Sequence, residues 1–341
     1  MKRIVALCLL LVIAASLASA GDTKRRGTAG AQEVLIPVGA RSIATAGAFF
    51  PSMTGVEAIH YNPAGLSASP YSEAMFNYMS YIADIGVSYA AVSANFADIG
   101  AFGVSFKALA FGDIPVTTVE FPDGNGTTFT PGYYVLGLTY ARTITDRVSA
   151  GVTFKMVREE IMSTSATGLA LDFGVQYRFT SGLSLGAALR NIGTDMKYGG
   201  GELQTSLPIS GGAPGTAEGS YTPETEAFQI PSNFEIGVSY RYTVDADNLL
   251  NFGASFRSNN TIQDEMFFGA EYKALNILSL RAGYETFLQE AGSSINGLNL
   301  GAGVDYRTDG NLWFAFDYAW RSVKEFPTDN HVFTVKIGFG E

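Results

Sequence analysis

The chain has 341 residues, with 32 Asp and Glu against 22 Lys and Arg, and a formal net charge of −10. This charge argues against a nucleic-acid partner, because binding to phosphates needs a basic surface. Only 16% of the residues are charged, whereas 24 Phe, 17 Tyr and 39 Gly are many for a soluble domain.

The first twenty residues have the pattern of a secretory signal peptide. Lys2 and Arg3 precede an apolar run at 4–15, and Ala18-Ser19-Ala20 forms an A-x-A cleavage site. The run is too short for a transmembrane helix. The single cysteine, Cys8, lies inside this segment, so the mature chain lacks disulfides and thiolate metal ligands. We therefore predict a signal peptide at 1–20 and export.

Residues 21–70 are predicted to form an N-terminal arm and plug. Glycine and proline interrupt any strand pattern over 31–66, the core of this region. Asn62 followed by Pro63 predicts a helix start, with Asn62 as N-cap and Gly65 closing the turn. Taken alone, the region also fits an irregular arm of a soluble β protein. The rest of the chain favours a compact plug of short helices and loops.

From residue 71 to 341 the chain is predicted to form strands. Fourteen segments alternate apolar and polar residues, each about the ten residues that a tilted strand needs to cross a membrane. They lie near 73–82, 85–96, 101–112, 132–143, 148–160, 167–180, 183–192, 232–243, 249–258, 264–274, 277–287, 297–307, 311–321 and 331–339.

The joins between segments distinguish a barrel from a soluble sandwich, which also alternates. Joins after even-numbered segments are short, whereas those after odd-numbered segments are mostly long, including 113–131 and 193–231. The exception is a tight join at Ala83-Asp84. This asymmetry is typical of an antiparallel outer-membrane β-barrel with both termini in the periplasm. Aromatic residues near the short joins predict an interfacial girdle: Tyr140, Tyr177, Phe179, Tyr240, Tyr242, Tyr272 and Tyr306.

The apolar phase of each segment is predicted to face lipid and the polar phase the lumen. Lumenal charges of both signs are expected at Lys155, Asp172, Arg178, Arg190, Glu235, Arg241, Glu271, Lys273, Arg281, Glu285, Asp305 and Arg307. We interpret them as pairs across strands and with Arg41, Glu57 and His60 of the plug. The alternative is a charged lining of a diffusion path.

Motifs of the common enzyme classes are absent from the sequence. It contains no G-x-x-x-x-G-K-[ST], no H-E-x-x-H and no G-x-S-x-G, and neither His60 nor His331 has ligand-spaced partners. We therefore predict no enzyme, no cofactor and no metal. The 193–231 segment is the best candidate for contacting a partner or controlling access of a ligand.

Several stretches resemble one family of outer-membrane proteins. They are Leu35-Ile36-Pro37-Val38-Gly39-Ala40-Arg41-Ser42, Gly47-Ala48-Phe49, Glu57-Ala58-Ile59, Asn62-Pro63-Ala64-Gly65-Leu66, Gly112-Asp113-Ile114-Pro115, Tyr140-Ala141-Arg142 and Leu189-Arg190-Asn191-Ile192-Gly193. On these residues the chain resembles the PorV/PorQ family, part of the wider FadL-like group of barrels.

The resemblance implies a barrel of about fourteen strands with an N-terminal plug, in the outer membrane of a Gram-negative-type bacterium. It implies docking or passage of exported proteins in type IX secretion, with secreted cargo and secretion-system components as partners besides outer-membrane lipid. The alternative that it implies is FadL-like transport of hydrophobic small molecules. Candidate plug and lumen-contact residues are Arg41, Glu57, His60, Asn62, Pro63 and Ala64.

Overall fold

A computed structural model of the protein describes residues 27–96, 98–208, 218–289, 294–308 and 312–340. The predicted signal peptide, Cys8 and the start of the predicted arm, residues 21–26, lie outside this part. Fourteen strands close into one antiparallel barrel. They are β1 Ser72–Ser80, β2 Gly86–Phe96, β3 Gly100–Ala110, β4 Gly132–Thr145, β5 Val148–Ile161, β6 Thr164–Arg178, β7 Leu183–Gly193, β8 Asn233–Thr243, β9 Leu249–Asn259, β10 Glu265–Ala274, β11 Leu278–Phe287, β12 Asn296–Arg307, β13 Leu312–Val323 and β14 Asn330–Phe339.

Each strand pairs with its neighbours along the chain, and the ladder between β14 and β1 closes the sheet. That ladder runs from Ser72 opposite Phe339 to Ser80 opposite His331. Closure gives every strand two partners, which is the condition for placing a sheet in lipid. The predicted fold class and strand number are confirmed.

The outer face of the barrel is apolar and its interior is polar. In β6, Leu171, Phe173 and Val175 are exposed, whereas Asp172 and Gln176 are buried. Residues that alternate along a strand lie on opposite faces, so the exposed apolar side chains form a continuous outer band. This is the surface of a membrane-spanning barrel, and the predicted inside and outside phases are confirmed.

The two ends of the barrel differ in their connections. Joins after even-numbered strands are short, such as 146–147 and 179–182, and we call this side, with Phe339, the turn end. The opposite side, with 111–131 and 194–232, is the loop end. The prediction of a single tight join there was wrong. Besides the 81–85 join, the ladder of β5 and β6 extends to Ile161 opposite Thr164 and leaves a two-residue turn, in which Met162 has φ 54°.

Two small ribbons extend from the loop end. Ile114–Pro115 pairs with Thr128–Phe129, and Thr205–Pro208 pairs with Glu218–Tyr221. Gly199–Gly200 adds two residues beside the start of β6. Ile209 and the rest of 209–217, which belong to the predicted contact segment, lie outside the described residues.

Short helices fill the barrel interior ahead of β1. They are the 3₁₀ turns Gln32–Val34, Gly55–Glu57 and Pro63–Ala68, with the α-helices α1 Ala40–Ala44 and α2 Ala58–Tyr61. Val38, Phe50, Ile59 and Leu66 are almost fully buried here. None of the helices in the described residues is long and apolar enough to cross a bilayer. We call residues 31–68 the plug.

Candidate functional site

Nine glycines of the wall let the plug touch it directly. At each of them an added Cβ would lie 2.0–2.7 Å from a plug atom, closer than real Cβ contacts allow. This glycine belt lies on β3 and on β5 to β12 and consists of Gly103, Gly151, Gly174, Gly186, Gly237, Gly253, Gly269, Gly283 and Gly301. Several belt members are direct cross-strand partners, such as Gly253 and Gly269. The belt therefore forms a smooth surface against which the plug is packed.

The remaining side of the wall holds the plug through polar side chains. Asn77 of β1 accepts the Gly39 N–H at 3.1 Å, and Thr334 of β14 accepts the Ala40 N–H at 2.8 Å. Thr334 also donates to Asn77 at 2.9 Å. These bonds satisfy the first amides of α1, which a helix cannot satisfy by itself.

An ion-pair chain starts and ends on the plug and runs from β10 and β11, which also carry belt glycines, to β13 and β14. Arg41 pairs with Glu271 at 3.1 Å, and Arg281 bridges Glu271 and Asp317 at 2.5 and 2.6 Å. Lys336 then bridges Asp317 and Glu57 at 3.3 and 3.2 Å. Because opposite charges alternate along the chain, each buried charge has a partner of the other sign.

Glu57 is the acceptor that joins α1 to the rest of the plug. Its Oε1 accepts both the backbone N–H and the hydroxyl of Ser42, at 3.1 and 2.6 Å. Burial by itself would raise the pKa of Glu57, but Lys336 and Arg41 beside it lower that pKa below its usual value. Glu57 is therefore ionised at neutral pH and orients α1.

The other candidate residues lie elsewhere in the plug. Asn62 Oδ1 accepts the Ala64 N–H at 3.2 Å, and Pro63 is the first residue of its 3₁₀ turn, as the sequence predicts for a cap. The turn continues to Ala68 and does not close at Gly65. The structure thus brings Arg41 and Glu57 together, and places Asn62, Pro63 and Ala64 against the glycine belt.

His60 lies apart from both groups, on the side of the plug that faces the loop end. Its ring meets Tyr61 and Tyr89 edge-on, with centroids 4.9 and 6.2 Å away. Burial, followed by the positive charge of Lys107, lowers the pKa of His60 well below its usual value. The imidazole is therefore neutral at pH 7.

A cavity of about 810 Å³ opens above the plug at the loop end. One of its walls is apolar and consists of Ile36 and Ile43 of the plug with Leu109, Phe111 and Tyr133 of the barrel. The rings of Phe111 and Tyr133 meet edge-on with centroids 4.8 Å apart. The volume and the apolar wall suit a small hydrophobic molecule.

The opposite wall of this cavity is charged, but its cations are already paired. Arg190 pairs with Glu235 at 2.6 Å, and Arg257 lies between Glu235 and Glu265 at 2.9 and 3.3 Å. Arg321 pairs with Glu285 at 2.9 Å. An anionic ligand would have to displace a carboxylate from one of these pairs, so these three arginines offer it no unpaired cation.

A smaller cavity of about 210 Å³ lies on the turn-end side of the plug. Arg41 and Glu57 line it, together with Tyr71 and Trp313 at its mouth. Ile43, two residues from Arg41, lines the loop-end cavity. The five-residue helix α1 therefore separates the two cavities.

Sequence reasoning missed the glycine belt, and Lys107, which donates to the carbonyls of Glu33 and Ile36 at 3.1 and 2.6 Å. The polar phase of Lys107 was the only signal for it. No three His, Cys, Asp or Glu side chains of the described residues are grouped as a metal site.

The search of solved structures then places this arrangement among known barrels. The fold is that of FadL-like outer-membrane barrels. The chain is similar to the CymD monoaromatic hydrocarbon channel, with a TM-score of 0.59, 12% identity, and 90% of this chain and 98% of the other covered. It is similar to the Pseudomonas putida toluene transporter TodX, with a TM-score of 0.55, 13% identity, and 88% and 97% covered.

A FadL homologue of Pseudomonas aeruginosa gives a TM-score of 0.52 at 14% identity, with 89% and 98% covered. At such low identities the likeness concerns the fold. Comparisons with protein-family models and with curated proteins gave no match. The FadL-like part of the resemblance is therefore supported, and nothing supports PorV/PorQ in particular.

Proposed function

We propose that this chain is a non-enzymatic outer-membrane barrel that passes neutral hydrophobic small molecules inward across the membrane. The observation that carries the proposal is the loop-end cavity, with an apolar wall formed by Ile36, Ile43, Leu109, Phe111 and Tyr133. The similarity to hydrocarbon channels of the same fold supports it. Outer-membrane lipid surrounds the apolar band, and the signal peptide exports the chain.

The pairing of charges defines the substrate class. Arg190, Arg257 and Arg321 each have a carboxylate partner, so a carboxylate ligand gains no free cation. A neutral molecule needs only the apolar wall, and burial contributes about 25 cal/mol per Å² of apolar area. We therefore expect neutral aromatic or aliphatic molecules to be preferred over the corresponding acids.

The test is uptake of labelled toluene and octanoate by cells that carry the protein or two variants. Phe111→Asp combined with Tyr133→Asp puts two charges into the apolar wall and should reduce toluene uptake at least tenfold. Phe121→Asp, at an exposed loop position outside the cavity, is the matched control and should match the unchanged protein. Equal uptake by the double variant, or a preference for octanoate, would contradict the proposal.

One observation favours docking of exported proteins as a second candidate. The 111–131 ribbon carries Val119, which is 97% exposed, and Phe121, which is 58% exposed. Exposed apolar side chains at a loop tip suit contact with a passing protein. The same variants separate the two functions, since docking would be impaired by Phe121→Asp and not by the cavity variant.

A further inference from the structure

The segment 27–35, which we call the strap, borders the loop-end cavity. Ala29 pairs with Gln229, and the ring of Phe228 packs on Gly30, where an added Cβ would lie 2.4 Å from it. The Ala31 N–H donates to Glu159 Oε1 at 3.0 Å. Besides these contacts with β5 and the 194–232 loop, the strap is held by the bond from Lys107 of β3 to the Glu33 carbonyl and by the packing of Ala31 and Val34 in a buried apolar cluster.

One side chain of the strap is buried with another carboxylate as its neighbour. Glu33 is 1% exposed, and neither of its carboxyl oxygens accepts a hydrogen bond from another described residue. It lies beside Glu159, whose carboxylate accepts from the Ala31 N–H and the Tyr198 hydroxyl. Two adjacent buried carboxylates repel each other, so the pair is stable only while it holds a proton.

The surroundings of Glu33 oppose a second negative charge. Burial, followed by the charge of Glu159, raises the pKa of Glu33 to about 8. The titratable groups that interact with it are Lys107 of β3, Tyr133 of β4 and Glu159 of β5, and Lys155 of β5 and Tyr198 of the loop line the same cavity. Lys107 gives a partial offset, but its amine already donates to two plug carbonyls.

We propose that the strap is a proton-operated cover of the loop-end cavity, closed while Glu33 holds a proton beside Glu159 and loosened when Glu33 ionises. The inference that a loosened strap admits a solute rests on the proposed function, whereas the inference that the strap moves does not. A released Glu33 has an ordinary pKa of 4.5 and a docked one about 8. The docked strap therefore binds the proton more tightly.

The direction of the pH effect follows from this difference. Binding of the strap to the wall is strongest below about pH 4.5. It weakens as the pH rises toward 8, by up to about tenfold per pH unit. Above that range docking no longer changes with pH. Glu33→Gln cannot ionise and its amide can still donate to Glu159, so it should hold the strap closed at every pH.

The test is thiol labelling of the full-length folded barrel that carries Cys8→Ser and Val34→Cys, a position that is 4% exposed. Maleimide rates are measured from pH 6 to 8 with Glu33 and with Glu33→Gln. The rate with Glu33 divided by the rate with Glu33→Gln cancels the ionisation of the thiol. This ratio should rise at least tenfold from pH 6 to pH 8, and a constant ratio would overturn the proposal.

Glu159→Gln gives a second measurement in case Glu33→Gln fails to fold. It removes the negative neighbour of Glu33, so labelling should depend on pH less than in the unchanged protein. Equal dependence would also overturn the proposal. Toluene uptake at pH 6 and 8 separates the movement of the strap from the proposed transport. If labelling depends on pH but uptake does not, the strap moves as proposed, and transport through this cavity is contradicted.

Discussion

The plug meets two different walls, and they hold it in different ways. On the glycine belt, backbone and side-chain atoms of the plug, including those of Phe50 and Ile59, lie too close to the wall to leave room for a Cβ. On β13, β14 and β1, contact is made by charged and hydrogen-bonding side chains such as Lys336 and Thr334. A close-packed contact is destabilised by an added atom, whereas a buried ion pair is destabilised by the loss of one partner. The two walls therefore fail under opposite substitutions.

The largest effect is expected from breaking the ion-pair chain. Lys336→Met leaves Glu57 and Asp317 buried and short of a partner, and should cost about 3–5 kcal/mol of the free energy of unfolding. Urea titration of the folded barrel measures it. Lys273→Met is the control, since its pair with Asp305 is partly exposed and should cost about 0–1 kcal/mol. Equal losses of unfolding free energy in the two variants would show that the buried ion-pair chain contributes no more than the partly exposed pair.

A smaller effect is expected from adding atoms to the belt. Gly253→Val places a side chain where the carbonyl of Ala48 lies, and should cost about 1–3 kcal/mol and displace the plug. Single-channel conductance of the reconstituted barrel should rise. Gly297→Val is the matched control, because the nearest atom to its Cβ is 3.7 Å away. Unchanged conductance in Gly253→Val would mean that the belt does not position the plug.

The smallest effect is expected at the Asn62 cap, which lies against the glycine belt. Asn62→Ala removes the acceptor of the Ala64 N–H and the donor to the Val175 carbonyl, and should cost about 0.5–2 kcal/mol. The loss should loosen the plug and leave the barrel heat-modifiable on gels. Ser67→Ala, in the same turn, should be near neutral. Full unfolding of the barrel by Asn62→Ala would show that plug and wall are not separable.

The sequence was sufficient for features that depend on local patterns. Period-two alternation predicted the fourteen strands and their outward phase, and the Asn62-Pro63 pair predicted the cap. It could not predict where strands end, because the ladder past Arg158 is held by pairing across the turn at Met162 and not by composition. For the same reason Thr164 begins β6 three residues before the predicted start at 167.

Features that depend on register were out of reach. A glycine inside a strand indicates only a weak strand position, and the belt exists because nine strands align at one level. The same holds for charges. The sequence does not distinguish Arg41, Glu57 and His60 as candidates for pairing with the wall. Only Arg41 and Glu57 join the ion-pair chain, and Lys336, the partner of Glu57, lies 279 positions away.

The belt also restricts the errors that the barrel can make while it forms. A slip of one residue in any strand turns every side chain to the other face. In β9, β10 and β11 that slip would bring Phe252, Phe268 or Tyr284, now exposed to lipid, to the level where Ala48 and Thr45 lie. A misregistered barrel therefore has no room for its plug. The plug therefore fits only a barrel whose strands pair in the native register, and a barrel with a shifted strand would exclude the plug from its lumen.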